Sequence, residues 1–100
     1  MSSPAATRVP TVTIHVPGAL RYRCGGAAQL SIAAATVQGA LDELERCHPS
    51  LFSGVCEETG AVRRHINVFV NTSHMRDLNG LDTDLAPGDE IIFLPAVSGG

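Results

Sequence analysis

Five stretches of the chain carry an apolar pattern that indicates a secondary-structure element. Residues 11–16 alternate with period two, which predicts a half-buried strand. Val12, Ile14 and Val16 face the core, and Thr11, Thr13 and His15 face away. Pro17-Gly18 ends the strand, and residues 20–23 read as loop or strand edge. Gly25-Gly26 signals a turn before residues 29–32, where Leu30 and Ile32 again alternate with polar neighbours. This second strand is expected to pair antiparallel with the first. The period then changes. Val37, Ala40, Leu41 and Leu44 recur at helical spacing behind Thr36, whose hydroxyl suits an N-cap. Gly39 is expected to mark a close approach of that helix to the sheet, and Pro49 to stop the helix. Residues 53–64 show no period and read as a long loop. Residues 66–70 alternate with Ile66, Val68 and Val70 inward, residues 71–74 read as a turn, and residues 74–78 as a short return strand. Asn79-Gly80 and Pro87-Gly88-Asp89 are turn signals, the second feeding a last strand over residues 90–94.

The order strand, strand, helix, strand, short strand, strand predicts an α+β domain. Its sheet is mixed, of four to five strands, with one main helix packed across it. The domain is expected over residues 11–95, between a flexible N-terminal arm (1–10) and a flexible C-terminal tail (96–100). Ile91-Ile92-Phe93-Leu94 is apolar at four consecutive positions, the mark of a strand covered on both faces. One helix covers one face only. Either Ile92 and Leu94, or their alternates Ile91 and Phe93, therefore meet something else. Phe69, on the outward side of its strand beside Asn67 and Asn71, joins the same patch. Phe69, Ile92 and Leu94 are thus the candidate docking residues. The alternative is that the arm or the long loop folds over this face.

Composition narrows the function. One hundred residues with 44% hydrophobic side chains make one core, filled by aliphatic residues because only four side chains are aromatic. A net charge of −3 argues against nucleic acid as partner. No stretch has the length of a membrane span or the apolar core of a signal peptide, so a cytoplasmic protein with no membrane partner is expected. Cys24, Cys47 and Cys56 are odd in number and form no C-x-x-C pair, which fits free thiols. All seven basic residues are arginine, so lysine-linked chains on this protein are not expected.

Reactive residues form no recognisable active site. His15, His48, His65 and His74 are scattered and match no metal motif. Cys56 and His65 flank a loop, a pairing of thiol and imidazole seen in nucleophilic sites, but a structural thiol is the simpler reading. Asp42, Glu43 and Glu45 read as a solvated helix face. Asp82, Asp84, Asp89 and Glu90 lack the spacing of a calcium loop. Arg63-Arg64 read as a charged loop, with docking of an acidic partner as the alternative.

The end of the chain is unusual. Pro95 lacks the N–H a sheet ladder uses, so pairing is expected to weaken there. Ala96-Val97-Ser98-Gly99-Gly100 then follow, and fully extended they reach about 16 Å. Bare glycine backbone would let a narrow enzyme channel close around such a tail. With this end, the order of elements and the pattern D-E-φ-φ-φ-φ-P-x-V-x-G-G over residues 89–100 (φ, apolar), the chain resembles the ubiquitin-like sulfur carriers. These are the ThiS, MoaD and CysO families, which have the β-grasp fold. The resemblance spans residues 11–100 and is nearest to the CysO family in Leu94-Pro95-Ala96-Val97, in Gly25-Gly26 and in the long loop before residues 66–71. Ser98 stands where alanine is expected.

The resemblance implies a protein co-substrate rather than an enzyme, with no metal or cofactor bound by the chain itself. An adenylyltransferase of the ubiquitin-activating type would use ATP and magnesium to adenylate the Gly100 carboxylate. A sulfur donor would then leave a Gly100 thiocarboxylate, with Gly99, Ser98, Val97 and Ala96 recognised along the tail. The sulfur acceptor would be a cysteine-synthase-like enzyme with pyridoxal phosphate, followed by a metalloprotease that releases cysteine. In the MoaD pathway it would be the large subunit of molybdopterin synthase. A thiamine-type carrier, a ubiquitin-like modifier joined to lysines of targets, and an unconjugated interaction module are the other readings.

Overall fold

The computed structural model describes residues 9–96; the arm up to residue 8 and Val97, Ser98, Gly99 and Gly100 lie outside the described residues. Five strands form one mixed sheet: β1 (Thr11–His15), β2 (Gln29–Ala33), β3 (Ile66–Val70), β4 (Ser73–His74) and β5 (Glu90–Pro95), in the order β2-β1-β5-β3-β4. β1 and β2 form the expected antiparallel hairpin, with Ile14 opposite Leu30. β5 lies between β1, to which it is parallel, and β3, to which it is antiparallel. The last strand is therefore central, as its continuous apolar run requires.

Two α-helices cover one face, α1 (Val37–Cys47) and α2 (Pro49–Val55). α1 starts where expected: Thr36 is extended and its Oγ1 accepts the Gly39 N–H at 3.0 Å. Val37, Ala40, Leu41 and Leu44 are buried against Val12, Ile14, Ile91, Phe93, Val68 and Val70 in one core. Gly39 marks no close approach, since a Cβ there would make ordinary contact with Ala34 Cβ at 3.7 Å.

Pro49 ends α1, the main helix, but also begins the shorter α2, which corrects the expectation of a loop from residue 53. Proline is pre-set for the first turn of a helix, where its missing N–H has no partner to lose. α2 buries Leu51 and Val55, too short a run for its period to be legible. Gly54 serves packing rather than a turn, because a Cβ there would come within 3.0 Å of Arg23 Cδ and Nε. Residues 20–23 belong to a 3₁₀ helix (Gly18–Cys24) that packs on α2, not to a strand edge. The return strand is two residues long, Ser73–His74, and Met75–Asp77 form a 3₁₀ turn instead of extending it. Leu30 is only half-buried, because β2 is an edge strand.

A candidate docking face and tail root

The second face of the sheet carries neither α-helix. Strand register sets its residues in rows. Gln29, His15, Ile92, Phe69 and His74 lie side by side across all five strands. Leu94 lies opposite Asn67 in the next row. Alternation along β5 sends Ile91 and Phe93, each 1% exposed, into the core, and Ile92 and Leu94 outward. Leu94 is 46% exposed, while Ile92 and Phe69 are half-buried by their neighbours. The structure thus brings Phe69, Ile92 and Leu94 together on one apolar strip. Of residues 53–64, Val55 and Cys56 join the core, with Val62 packed against it, and the arm up to residue 8, the other candidate cover, lies outside the described residues.

Polar side chains border the strip, each held by another. His15 Nε2 lies 3.0 Å from Glu90 Oε1, and its Nδ1 3.5 Å from Gln29 Nε2. His74 Nε2 lies 3.1 Å from Asn67 Oδ1, and its ring tilts against Phe69 with centroids 5.2 Å apart. His15 was expected on the outward side of β1, whereas His74 was not expected beside the docking residues. Period-two alternation finds His15, but His74 follows a turn whose geometry the sequence does not specify.

The strip leads to the root of the tail. Pairing does not weaken at Pro95: β5 continues through it, opposite Ile66, and the Ala96 N–H reaches the His65 carbonyl at 2.6 Å. In such a pair the nitrogens at positions 95 and 66 point away from each other, so Pro95 loses no bond to β3. On its other side β1 ends its pairing at Ile92.

The remaining candidates separate from this face. Cys56 is 1% exposed, and burial pushes its thiol up to about 11, the opposite of an activated nucleophile. Its backbone bridges Val62 rather than His65. Cys56 lies beneath a cleft of about 450 Å³ lined by Glu45, Phe52, Glu57, Glu58 and Arg63. Arg63 turns back on the chain and donates from Nε to the Ser53 carbonyl at 2.9 Å. No group of three or more metal-binding side chains occurs among the described residues, and no helix among them is long and apolar enough to cross a membrane.

A five-stranded mixed sheet grasping a helix from one side, with the central strand running out into the chain's end, defines a ubiquitin-like β-grasp protein. The chain belongs to the ThiS family, whose model matches residues 14–100. It is 34% identical over 95 residues to the sulfur carrier protein CysO of Mycobacterium tuberculosis, covering 89% of this chain and 98% of that one. The BexX/CysO complex of Amycolatopsis orientalis superposes with a TM-score of 0.79 at 35% identity, over 89% of this chain and 99% of that one. Small archaeal modifier protein 1 of Methanosarcina acetivorans gives 0.81 at 30% identity, over 92% and 98%.

Proposed function

We propose that this protein is a sulfur carrier whose Gly100 carboxylate is activated and converted to a thiocarboxylate. The supporting observation is similarity to CysO over nearly the whole of that protein, together with a family match that runs through Gly99-Gly100. A carboxylate is a poor electrophile. Attack of its oxygen on the α-phosphorus of ATP, in a magnesium-dependent adenylyltransferase, releases pyrophosphate and makes an acyl adenylate. A sulfur nucleophile then expels AMP and leaves the thiocarboxylate, an anion that the carrier holds and delivers. The acceptor on this reading is a pyridoxal-phosphate enzyme of cysteine biosynthesis, with a metalloprotease freeing the product.

The chain's own contribution is presentation. Beyond Ala96, four residues span at most about 13 Å, enough to enter a narrow channel while the body stays outside. Phe69, Ile92 and Leu94 are the surface on which the activating enzyme docks the body, since a contiguous apolar strip with a polar border has the make-up of an interface. Gly99 and Gly100 leave the tail without side chains, with Ser98, Val97 and Ala96 behind them.

Intact-protein mass spectrometry after incubation with ATP, a CysO-type adenylyltransferase and sulfide tests this. Oxygen replaced by sulfur, located by fragmentation at Gly100, is the expected result. Gly99→Val, which puts a stiff β-branched side chain in the tail, should abolish conversion, as should one residue added after Gly100. Sulfur on the extended, uncleaved protein would overturn the proposal. A second reading, that the chain modifies other proteins, draws on its similarity to small archaeal modifier protein 1. An isopeptide adduct on a target lysine, with no thiocarboxylate, would favour it.

A further inference from the structure

We infer that His74 is a positioning residue for the docking face: in its neutral form it holds Phe69 in place, and protonation releases it. The inference rests on the carrier reading for what docks, but not for the behaviour of the side chain itself.

Both ring nitrogens of His74 are committed. Nδ1 accepts the backbone N–H of Arg76 at 3.1 Å and so caps the 3₁₀ turn of Met75–Asp77. An atom that accepts from an N–H carries no proton. Nε2 faces Asn67 Oδ1 at 3.1 Å, an acceptor, and must donate. Together the two partners select one state, neutral imidazole with its hydrogen on Nε2. The same ring packs at 60° against Phe69 at 5.2 Å, within the range of edge-on aromatic pairs. One side chain therefore ties the cap of the turn, the polar border and the apolar side chain at the β4 end of the docking strip.

Protonation puts a hydrogen on Nδ1, where it meets the Arg76 N–H. The cap bond is lost and two donors face each other. β3, on which the ring packs, has no charged or titratable residue among Ile66–Val70. On the turn itself Arg76 is a like charge and Asp77 an opposite one. In the neighbouring strand Glu90 is already bonded to His15. β4 is only two residues long, held by its pairing with Phe69 and Val70, so it has little else to keep the ring in place.

Two substitutions divide the roles. His74→Asn places an amide oxygen where it can accept from the N–H two residues on, as an Asx turn does, so it keeps the cap but removes the ring. His74→Phe keeps a ring against Phe69 but has no cap acceptor. His48→Gln, at the junction of α1 and α2 away from this face, is the control.

Imidazole nitrogen spectra of the free protein should show Nδ1 bare and Nε2 protonated at neutral pH. The Arg76 amide and Phe69 ring signals should move together with protonation of His74, and that shared titration should vanish in His74→Asn. A rapidly averaged tautomer, or a Phe69 signal indifferent to His74, overturns the inference whether or not the chain carries sulfur. In ATP–pyrophosphate exchange with a CysO-type adenylyltransferase, His74→Asn should raise the KM for the carrier about threefold to tenfold with kcat unchanged and the melting temperature kept. The wild-type KM should rise on acidification, while that of His74→Asn stays flat after correction for the enzyme's own pH profile. Exchange by wild type with the same KM for His74→Asn at every pH overturns this inference alone. Absence of exchange by wild type overturns the carrier reading and the docking role of His74 with it.

Discussion

The two faces of β5 are made of the same kind of side chain and have opposite consequences. Ile91 and Phe93 are buried under α1, while Ile92 and Leu94 lie on a face without a helix. Elsewhere that face is made differently: β1 and β2 present Thr11, Thr13, His15, Gln29 and Ser31. Apart from Ala33 on the edge strand, the apolar outward positions lie on β5 and β3, next to the root of the tail. A sheet that needed only solvent on its second face would carry polar residues there throughout. Burial on one side of the strand stabilises the fold. Apolar surface on the other side is kept at the cost of exposure, a cost for which the proposed docking role accounts.

The comparison predicts an asymmetry between adjacent residues. Phe93→Ala should cost about 3–5 kcal/mol, because it opens a cavity where the side chain is 1% exposed and the core closes around it. Ile92→Ala, one position along, should cost well under half as much, since part of its surface already meets solvent. Urea unfolding of both variants measures this. Equal losses would mean that the outward face is packed from within, and would remove the basis for a docking strip.

Much of this was legible in the sequence because period decides face. Strands β1, β2 and β3, the Thr36 cap and the buried stripe of α1 follow from residue spacing alone. Alternation could not say which half of Ile91-Ile92-Phe93-Leu94 is outward, since all four are apolar. That follows only from the register of β5 against β1 and β3. α2 was hidden by Pro49, which is both a stop and a start, and by a length of under two turns that shows no period. The position of Cys56 was hidden for the same reason: outside any periodic run, nothing marks it as core. His74 joins the candidate site through a turn, and turn geometry depends on backbone angles that side-chain pattern does not encode.

Cys56 sharpens the contrast from the buried side. Desolvation raises its thiol from 9.0 to about 11, with Glu45 adding to the rise and Arg63 opposing it. A folded-state value above the unfolded one means the native state holds its proton longer. Its contribution to stability is complete below pH 9 and is lost as pH climbs towards about 11, on the order of 2 kcal/mol in all. The pH dependence of urea midpoints should therefore fall more steeply over this range for wild type than for Cys56→Ala. Parallel slopes would mean the thiol is accessible. Thiol alkylation at neutral pH should likewise label exposed Cys47 and spare Cys56. Thr36→Ala is smaller, at about 1 kcal/mol, because it removes one accepted hydrogen bond at the start of α1 and leaves the core intact.

The smallest effect on stability should accompany a large effect on binding. Leu94 is 46% exposed and pairs with Asn67 through backbone, so Leu94→Glu should change stability by no more than about 0.5 kcal/mol. Phe69→Glu should cost somewhat more, because it also removes the contact with His74. In both variants a carboxylate replaces apolar surface in the strip, next to Ile92. If the activating enzyme covers that strip, the charge must lose its water without gaining a partner, which is strongly unfavourable. Affinity should fall sharply while thermal unfolding stays cooperative, measured by titration calorimetry and by melting on the same samples. The tail is untouched in both, so high carrier concentration should restore the maximal rate of adenylation. A lowered maximal rate with unchanged affinity would instead place these residues on the path of the tail. Unchanged affinity and rate in both would leave the apolar strip without a role in activation.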